Sequence, residues 1–176
     1  MCLLGTGRKF LGFMLTHRGI HVNPDKCQAI LEMRSPRNIK EAQRLAKRIT
    51  SLSRFLPRIA KKAKLIMNLL KKTKNFQLDD ECKANFWQLK VTLASVVVLS
   101  KLNTNKILIV YLLVSAKAIS ATLVQEENNE LRPIYFVSQV LQNPETQYQE
   151  MEKVALALVN VVRRLRQFFQ SHRITV

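Results

Sequence analysis

The stretch KILIVYLLVSAKAISATLVQEE, residues 106–127, carries the pattern that decides the fold of this chain. It opens with eight apolar residues, 107–114, and then small and branched residues alternate. A membrane-spanning helix needs about 20 apolar residues, so this run is too short to cross a bilayer. No acidic residue occurs in the stretch before Glu126. The pattern predicts a pair of buried β-strands.

The segments after this stretch continue an α+β pattern. Strand-like runs are predicted at residues 106–114, 118–124 and 132–137. Asn128 and Asn129 are residues that favour a turn between the last two runs. Asn143 begins a long helix that is predicted to end near Gln170. Its inner face is predicted to contain Tyr148, Met151, Ala155, Leu158, Val159, Val162, Leu165 and Phe169. The last four residues, RITV, begin another strand.

The N-terminal residues predict a β-hairpin. KFLGFML, residues 9–15, is interpreted as one strand, THRG as a turn and IHV as the returning strand. All four glycines lie within residues 1–19. Gly19 is expected to adopt positive φ in the turn.

Two capped helices are predicted after the hairpin. Asn23 and Pro24 are typical of a helix N-terminus, and Asn38 with Glu41 three residues later forms a capping-box pattern. The second helix, predicted at residues 39–56, has two contrasting faces. Its apolar face contains Ala42, Leu45, Ala46, Ile49, Leu52 and Leu56. Its basic face contains Lys40, Arg44, Lys47, Arg48 and Arg54.

Two further helices are predicted before the central stretch. Residues 58–72 form a second basic helix. The next helix begins with acids and has an apolar stripe of Cys82, Phe86, Leu89 and Leu93.

Charge divides the chain unevenly. Residues 1–78 hold 18 Lys or Arg and 3 acids, and residues 79–176 hold 11 and 9, which gives the total of +17. A strongly basic part of this kind predicts a polyanionic partner such as nucleic acid. The composition, with 47% hydrophobic residues, supports one or two small domains, which we expect at residues 1–75 and 76–176.

The three cysteines are expected to be reduced thiols in a soluble, intracellular protein of the cytoplasm or nucleus, without a membrane partner. They are far apart in the sequence and form no CxxC pair. His17 and His21 with Cys27 are a conceivable metal site, but two histidines flanking a hairpin turn are the simpler interpretation. We predict no metal site.

Several sequence blocks, in this order, resemble the Pol polyprotein of plant gypsy-type LTR retrotransposons. They are KFLGFMLTHRGI, NPDKCQAI, FLPRIAKKAKLIMNLLKK, FQLDDECKANFWQLKVTLAS and RPIYFVSQVL. The resemblance covers nearly the whole chain. It implies the end of a reverse transcriptase palm, a thumb-like helical module, and a partial RNase H-like mixed sheet with a long helix.

The resemblance also implies binding roles for two segments. Phe10, Leu11, Gly12 and Phe13 match the primer grip, a hairpin that holds the 3′ end of the primer, although a plain amphipathic hairpin is the alternative. The two basic helices match the thumb, in which Lys40, Arg44, Lys47, Arg48 and Arg54 would face the phosphates of the template–primer duplex. Related sequences often carry glycine near Lys47, so this position departs from the family.

The expected catalytic carboxylates are missing or displaced. QLDD, residues 77–80, lacks the tyrosine of a Tyr-x-Asp-Asp turn and is interpreted as acids at a helix N-terminus. In the RNase H-like part, Leu113 stands where the family places its first Asp. Glu152 is a weak catalytic candidate, because the family Glu would fall at Val154, and the final Asp would follow Val176. Two-metal hydrolysis needs converging carboxylates, so no cofactor is predicted here, although the intact family enzyme uses Mg²⁺.

Three functions remain open from the sequence. The first is a fragment of a reverse transcriptase/RNase H polyprotein that binds RNA–DNA hybrid or duplex DNA without sequence specificity and without catalysis of its own. Its other partner is the remainder of the polyprotein. The alternatives are an active hybrid-cleaving nuclease and a degenerate retroelement product with no specific function.

Overall fold

The computed structural model describes residues 8–10, 13–17, 19–60, 63, 80–94, 98–103 and 106–176. These residues form a mixed α+β structure with two four-stranded sheets, which confirms the predicted fold class. The predicted second basic helix, residues 58–72, lies mostly outside the described residues. Among the described helices, none combines the length and apolar character that a membrane crossing requires.

The first sheet is antiparallel and built mainly from the N-terminal residues. In spatial order it contains β1 (Arg8–Phe10), β2 (Phe13–Thr16), β3 (Gly19–Val22) and β4 (Leu99–Ser100). The single strand predicted at residues 9–15 is wrong, because the chain reverses and Phe10 pairs with Phe13. Side chains alternate with a period of two on both sides of such a reversal, so the pattern does not show it. The short strand β4 was not predicted.

Gly19 lies where β3 meets β4. Its φ is +139°, which confirms the expected positive φ. A Cβ atom built on Gly19 would overlap the carbonyl oxygen of Leu99 and lie 2.9 Å from the amide nitrogen of Lys101. Glycine therefore permits both the backbone conformation and the close approach of the two strands.

Replacing Gly19 with alanine is expected to destabilise the protein by at least about 1–3 kcal/mol, because the added Cβ is strained at this φ and meets backbone atoms. The measurement is the midpoint of urea unfolding, together with hydrogen exchange at the amide of Ile20. An unchanged midpoint and unchanged protection would contradict the observed junction.

Two capped helices follow the hairpin, α1 (Pro24–Leu31) and α2 (Ile39–Leu52), and a 3₁₀ turn (Ser53–Phe55) continues α2. The predicted caps are confirmed. Asn23 Oδ1 accepts a hydrogen bond from the amide of Asp25 at 2.9 Å, and Asn38 Oδ1 accepts one from the amide of Glu41 at 2.9 Å. All six residues predicted for the apolar face are buried: Ala42, Leu45, Ala46, Ile49, Leu52 and Leu56.

Helix α3 (Asp80–Ala94) completes the first hydrophobic core. Its predicted stripe is confirmed, since Cys82, Phe86, Leu89 and Leu93 are buried. Phe86, Leu89 and Leu93 belong to the same core as the buried residues of α1 and α2. The first core thus draws on residues from both sides of position 75, and the division into units at 1–75 and 76–176 stays a prediction.

The second sheet is mixed. In spatial order it contains β7 (Glu130–Val140), β6 (Ala118–Glu127), β5 (Leu108–Val114) and β8 (Ile174–Thr175). β8 is parallel to β5, whereas the other pairs are antiparallel. The predicted turn between β6 and β7 is confirmed, because Asn128 and Asn129 have φ of 54° and 60°, as a two-residue hairpin turn requires.

The predicted pair of strands is confirmed, because β5 pairs with β6, but its burial is only partial, since one face of β5 is buried. Leu108 and Val110 lie in the second core with Val161 and Leu165. On the opposite face, Tyr111 and Leu113 are exposed. Successive side chains of a strand point to opposite faces, and only the face of Leu108 and Val110 packs into this core.

The long helix predicted from Asn143 to Gln170 is wrong as a single element. It is divided into α4 (Asn143–Thr146), α5 (Glu150–Arg164) and α6 (Arg166–Ser171). Leu165 separates the last two with a φ of −104° and a ψ of 20°. This buried residue ends α5 and precedes the first residue of α6.

The inner face predicted for this region is also largely wrong. Ala157, Val161 and Leu165 are buried, whereas five of the predicted residues are exposed: Tyr148, Met151, Ala155, Val159 and Val162. Apolar residues surround most of the circumference of α5, so helical periodicity alone does not select the face that meets the sheet.

Candidate nucleic-acid interface

Three cations form a regular row on the outer face of α2. Lys40, Arg44 and Lys47 are exposed, and the seven-residue separation of the outer two spans about 10 Å along a helix. The opposite face of α2 is anchored in the first core. None of the three belongs to an ion pair within the described part of the chain. They are therefore available to neutralise phosphates.

The other two predicted cations make contacts inside the protein. Arg48 Nη1 donates a hydrogen bond to the carbonyl of Ala29 at 2.6 Å, which joins α2 to α1. The guanidinium of Arg54 lies 4.1 Å from the ring centroid of Phe13. Such a cation–π contact holds the side chain against the hairpin. The nucleic-acid roles of Arg48 and Arg54 stay predictions, and each has a structural partner.

The hairpin predicted as a primer grip is only partly described. Leu11 and Gly12 lie outside the described residues, while Phe10 and Phe13 pair across the reversal. The ring of Phe13 is 5.6 Å from that of Phe55, and the ammonium of Lys26 lies 5.2 Å from its centroid. Phe13 therefore anchors the hairpin to the helical core. Its contact with a primer stays a prediction.

A lysine that sequence reasoning did not single out connects α3 to the C-terminal end of α1. Lys90 Nζ, on α3, donates to the carbonyls of Leu31 and Met33, each at 2.7 Å. These carbonyls lie at or just past the end of α1, where helix carbonyls lack internal partners. The sequence does not predict this contact, because Lys90 lies far along the chain from the carbonyls that it caps.

The weak catalytic candidate Glu152 acts as a helix cap. Its Oε2 accepts a hydrogen bond from the amide of Gln149 at 2.8 Å, at the start of α5. Glu145 does the same for the amide of Gln142 at 2.6 Å. These contacts match the capping interpretation of Glu152.

Asp80, the described residue of the QLDD block, lies at the start of α3 and is exposed. A 2.7 Å hydrogen bond from Lys83 and the positive charge of that lysine lower the pKa of Asp80. Gln77, Leu78 and Asp79 lie outside the described residues. The interpretation of Asp80 as a helix N-terminal acid agrees with this geometry.

The described residues contain no group of three His, Cys, Asp or Glu side chains that could hold a metal ion. His17 lies in the turn after β2, His21 lies in β3 and Cys27 lies in α1. Cys27 is a free thiol, and Cys82 is buried on α3. Burial raises the pKa of the Cys27 thiol, so it stays protonated and weakly nucleophilic near neutral pH.

Replacing Leu113 with aspartate is expected to change the free energy of unfolding by less than about 1 kcal/mol, because Leu113 is 44% exposed. It is also expected to leave the protein without hybrid-cleaving activity, since one added carboxylate does not hold two metal ions. Urea unfolding and cleavage of a labelled hybrid measure the two results.

The matched control is Val110→Asp on the opposite face of the same strand. Val110 is 2% exposed, and an unpaired carboxylate there is expected to cost several kcal/mol. Equal destabilisation by the two substitutions would contradict the observed orientation of β5.

Comparisons with known proteins agree with this architecture. Solved structures of foamy viral protease-reverse transcriptase are among those that match it. One in complex with double-stranded DNA has a TM-score of 0.85 at 21% identity and covers 98% of this chain and 30% of its own. One in complex with an RNA/DNA hybrid has a TM-score of 0.83 at 20% identity, with coverages of 96% and 23%. At these identities the likeness shows the fold.

Sequence relatives are parts of transposon polyproteins. The Pol polyprotein of transposon opus from Drosophila melanogaster is 31% identical over 94% of this chain, which spans 18% of that protein. The Tf2-3 polyprotein of Schizosaccharomyces pombe is 22% identical over 93% of this chain, which spans 12% of it. The model of the RNase H-like domain found in reverse transcriptase matches residues 78–176. With more than half of its length matched, the chain belongs to the family of RNase H-like domains of reverse transcriptases.

Proposed function

We propose that this chain is the part of a retrotransposon Pol polyprotein that holds the template–primer duplex, either RNA–DNA hybrid or duplex DNA, without sequence preference. The observation that carries the proposal is the row of Lys40, Arg44 and Lys47 on the outer face of α2. Cations that project from a rigid helix contact phosphates and carry no sequence information.

The surrounding charge supports the same role. Residues 34–74 hold 14 Lys or Arg and one acid. Because α2 is fixed by the first core on its apolar side, binding requires little further ordering of its backbone. Preorganised cations release counterions from the duplex at small entropic cost to the protein.

We propose that the chain does not cleave the hybrid by itself. Leu113 provides no oxygen ligand, and Glu152 already caps α5. The remainder of the polyprotein is then the partner that supplies polymerisation. The quoted sequence blocks support a plant gypsy-type lineage as the source. The free thiol of Cys27 and the absence of a CxxC pair in the sequence support a reducing intracellular location, in the cytoplasm or nucleus.

Binding to a labelled 20-base-pair hybrid is expected to weaken with salt at a slope of about −4 to −5 in log K against log salt, if about five phosphates are neutralised. Fluorescence anisotropy between 50 and 200 mM salt (about a fourfold range) measures this slope. Duplexes of unrelated sequence are expected to give the same affinity. A slope near zero would contradict a phosphate interface.

The same preparation tests catalysis. Hybrid incubated with the protein and magnesium or manganese is expected to remain intact at the level of a buffer control. Cleavage that is lost with chelator and with Glu152→Ala would establish a nuclease and contradict the proposal.

A further inference from the structure

A second basic surface lies in a groove between the two sheets, and the turn that follows α2 contributes one residue, Arg54, to its lining. We call it the arginine groove. Its volume is about 1220 Å³. The cations that line it are Arg54, Lys101, Arg163, Arg164 and Arg166. None of the row on α2 lines this groove, so the two basic surfaces are separate.

The break between α5 and α6 assembles these arginines. Leu165 is buried and leaves helical geometry, so Arg163 and Arg164 end one helix while Arg166 begins the next. Cations in the last turn of a helix ordinarily stabilise its dipole, which accounts for Arg163 and Arg164. That effect does not account for Arg54 and Lys101, which come from other segments and line the same space.

The charge of the arginine groove is uncompensated. No Asp or Glu is among the described residues that line it. Lys101, Arg163 and Arg166 are exposed and belong to no ion pair within the described ranges. Like charges that converge without counter-charges repel each other, and an anion that enters the groove relieves this repulsion.

Aromatic rings accompany the cations. Tyr135 and Phe168 line the groove and pack edge to face with ring centroids 6.2 Å apart. The guanidinium of Arg54 lies 5.9 Å from the centroid of Tyr135. Proteins that bind single-stranded nucleic acid combine cations, which contact the phosphate backbone, with aromatic rings, on which the bases stack.

We propose that the arginine groove binds a short single-stranded segment of nucleic acid. The volume of the groove exceeds the roughly 1,000 Å³ of the larger small-molecule clefts. A groove of this size fits several linked nucleotides better than a single nucleotide. A duplex does not satisfy the site, because its bases are already stacked on one another and do not reach recessed rings. Arg163 and Arg166 contact phosphates, and Tyr135 and Phe168 meet bases.

The test uses the full chain and a fluorescein-labelled oligothymidylate of about ten nucleotides, within the size that single-strand sites accept. The double variant Arg163→Glu with Arg166→Glu is expected to weaken single-strand binding about 25-fold at 0.1 M salt. Each phosphate contact on a single strand contributes about 0.7 to the salt slope, so the loss of two contacts lowers log K by about 1.4 at 0.1 M salt relative to 1 M salt. Duplex affinity is expected to change by less than about threefold, because charges beyond about 10 Å are screened at this salt.

The matched control is Lys40→Glu with Lys47→Glu on α2. It is expected to weaken duplex binding and leave oligothymidylate binding unchanged. Equal loss of single-strand binding in both double variants would show a diffuse charge effect and overturn the proposal. If the duplex interface itself is wrong, the control leaves duplex binding intact, and the groove variant still reports on the single strand.

The chemical class of the ligand is tested with two competitors. An abasic oligonucleotide of the same length is expected to bind about tenfold more weakly, because it lacks the stacking bases. Polyglutamate is expected to compete poorly for the same reason. Equal binding by the abasic strand, or equal competition by polyglutamate, would overturn the assignment of a nucleic-acid strand. Urea unfolding midpoints that match the unmodified protein confirm that both double variants are folded.

Discussion

Replacing Lys40, Arg44 and Lys47 together with glutamate is expected to weaken duplex binding about 500-fold at 0.1 M salt. Each phosphate contact contributes about 0.9 to the salt slope. The loss of three contacts therefore lowers log K by about 2.7 at 0.1 M salt relative to 1 M salt. The salt slope itself is expected to fall by the same 2.7. Anisotropy titrations with a labelled hybrid at several salt concentrations measure both quantities.

The helix is expected to tolerate this change. Glutamate has nearly the same helix propensity as lysine and arginine, and the three side chains are exposed on the face opposite the core. Arg48 is left in place because its hydrogen bond to Ala29 joins two helices. Any loss of affinity in the triple variant then reports on the interface.

A second triple variant controls for net charge. Lys83, Lys117 and Arg173 are exposed cations outside α2, and their replacement with glutamate changes the net charge by the same amount. Because charges beyond about 10 Å are largely screened at 0.1 M salt, this variant is expected to lose less than about threefold in affinity. Equal losses in the two triple variants would overturn the assignment of the interface to α2.

Replacing Phe55 with alanine is expected to destabilise the protein by about 3–5 kcal/mol, the usual cost of truncating a buried aromatic residue. Phe55 is completely buried in the first core, and its ring contacts Phe13 at 5.6 Å between centroids. It therefore connects the hairpin to the helices. With a urea dependence of about 2 kcal/mol per molar, the unfolding midpoint falls by about 1.5–2.5 M.

Met151→Ala is the matched control for Phe55. Met151 is also a large apolar residue, but it is 80% exposed, so its truncation is expected to change stability by less than about 0.5 kcal/mol. A large loss of stability in this control would mean that the inner face predicted from the sequence was right after all. Equal, small effects of both substitutions would contradict the position of Phe55 in the core.

The sequence by itself determined the features that depend on neighbours along the chain. Asn23 and Asn38 cap their helices, and Asn128 and Asn129 form the turn between β6 and β7. The apolar faces of α2 and α3 were also predicted residue by residue. The caps and the turn rest on interactions within about four residues. The apolar faces follow from helical periodicity, and on α2 the contrast between the apolar and the charged face leaves one orientation.

The candidate site was predicted only in part. The row of Lys40, Arg44 and Lys47 follows from helical periodicity. The sequence placed Arg48 and Arg54 on the same basic face, but their partners Ala29 and Phe13 come from other elements. A cation suits phosphate, a carbonyl or an aromatic ring equally well, and the pattern of one helix does not say which of them lies nearby.

The tertiary structure alone decided the remaining features. It selected the face of α5 that carries Ala157 and Val161, left Leu113 exposed, and brought Arg54 and Lys101 beside the arginines of α5 and α6. On α5 the apolar residues surround most of the helix, and on β5 both faces are apolar. The local sequence pattern therefore does not show which face of either element is buried. The choice depends on which surfaces bury the most apolar area when distant segments pack together, and that quantity is a property of the whole fold.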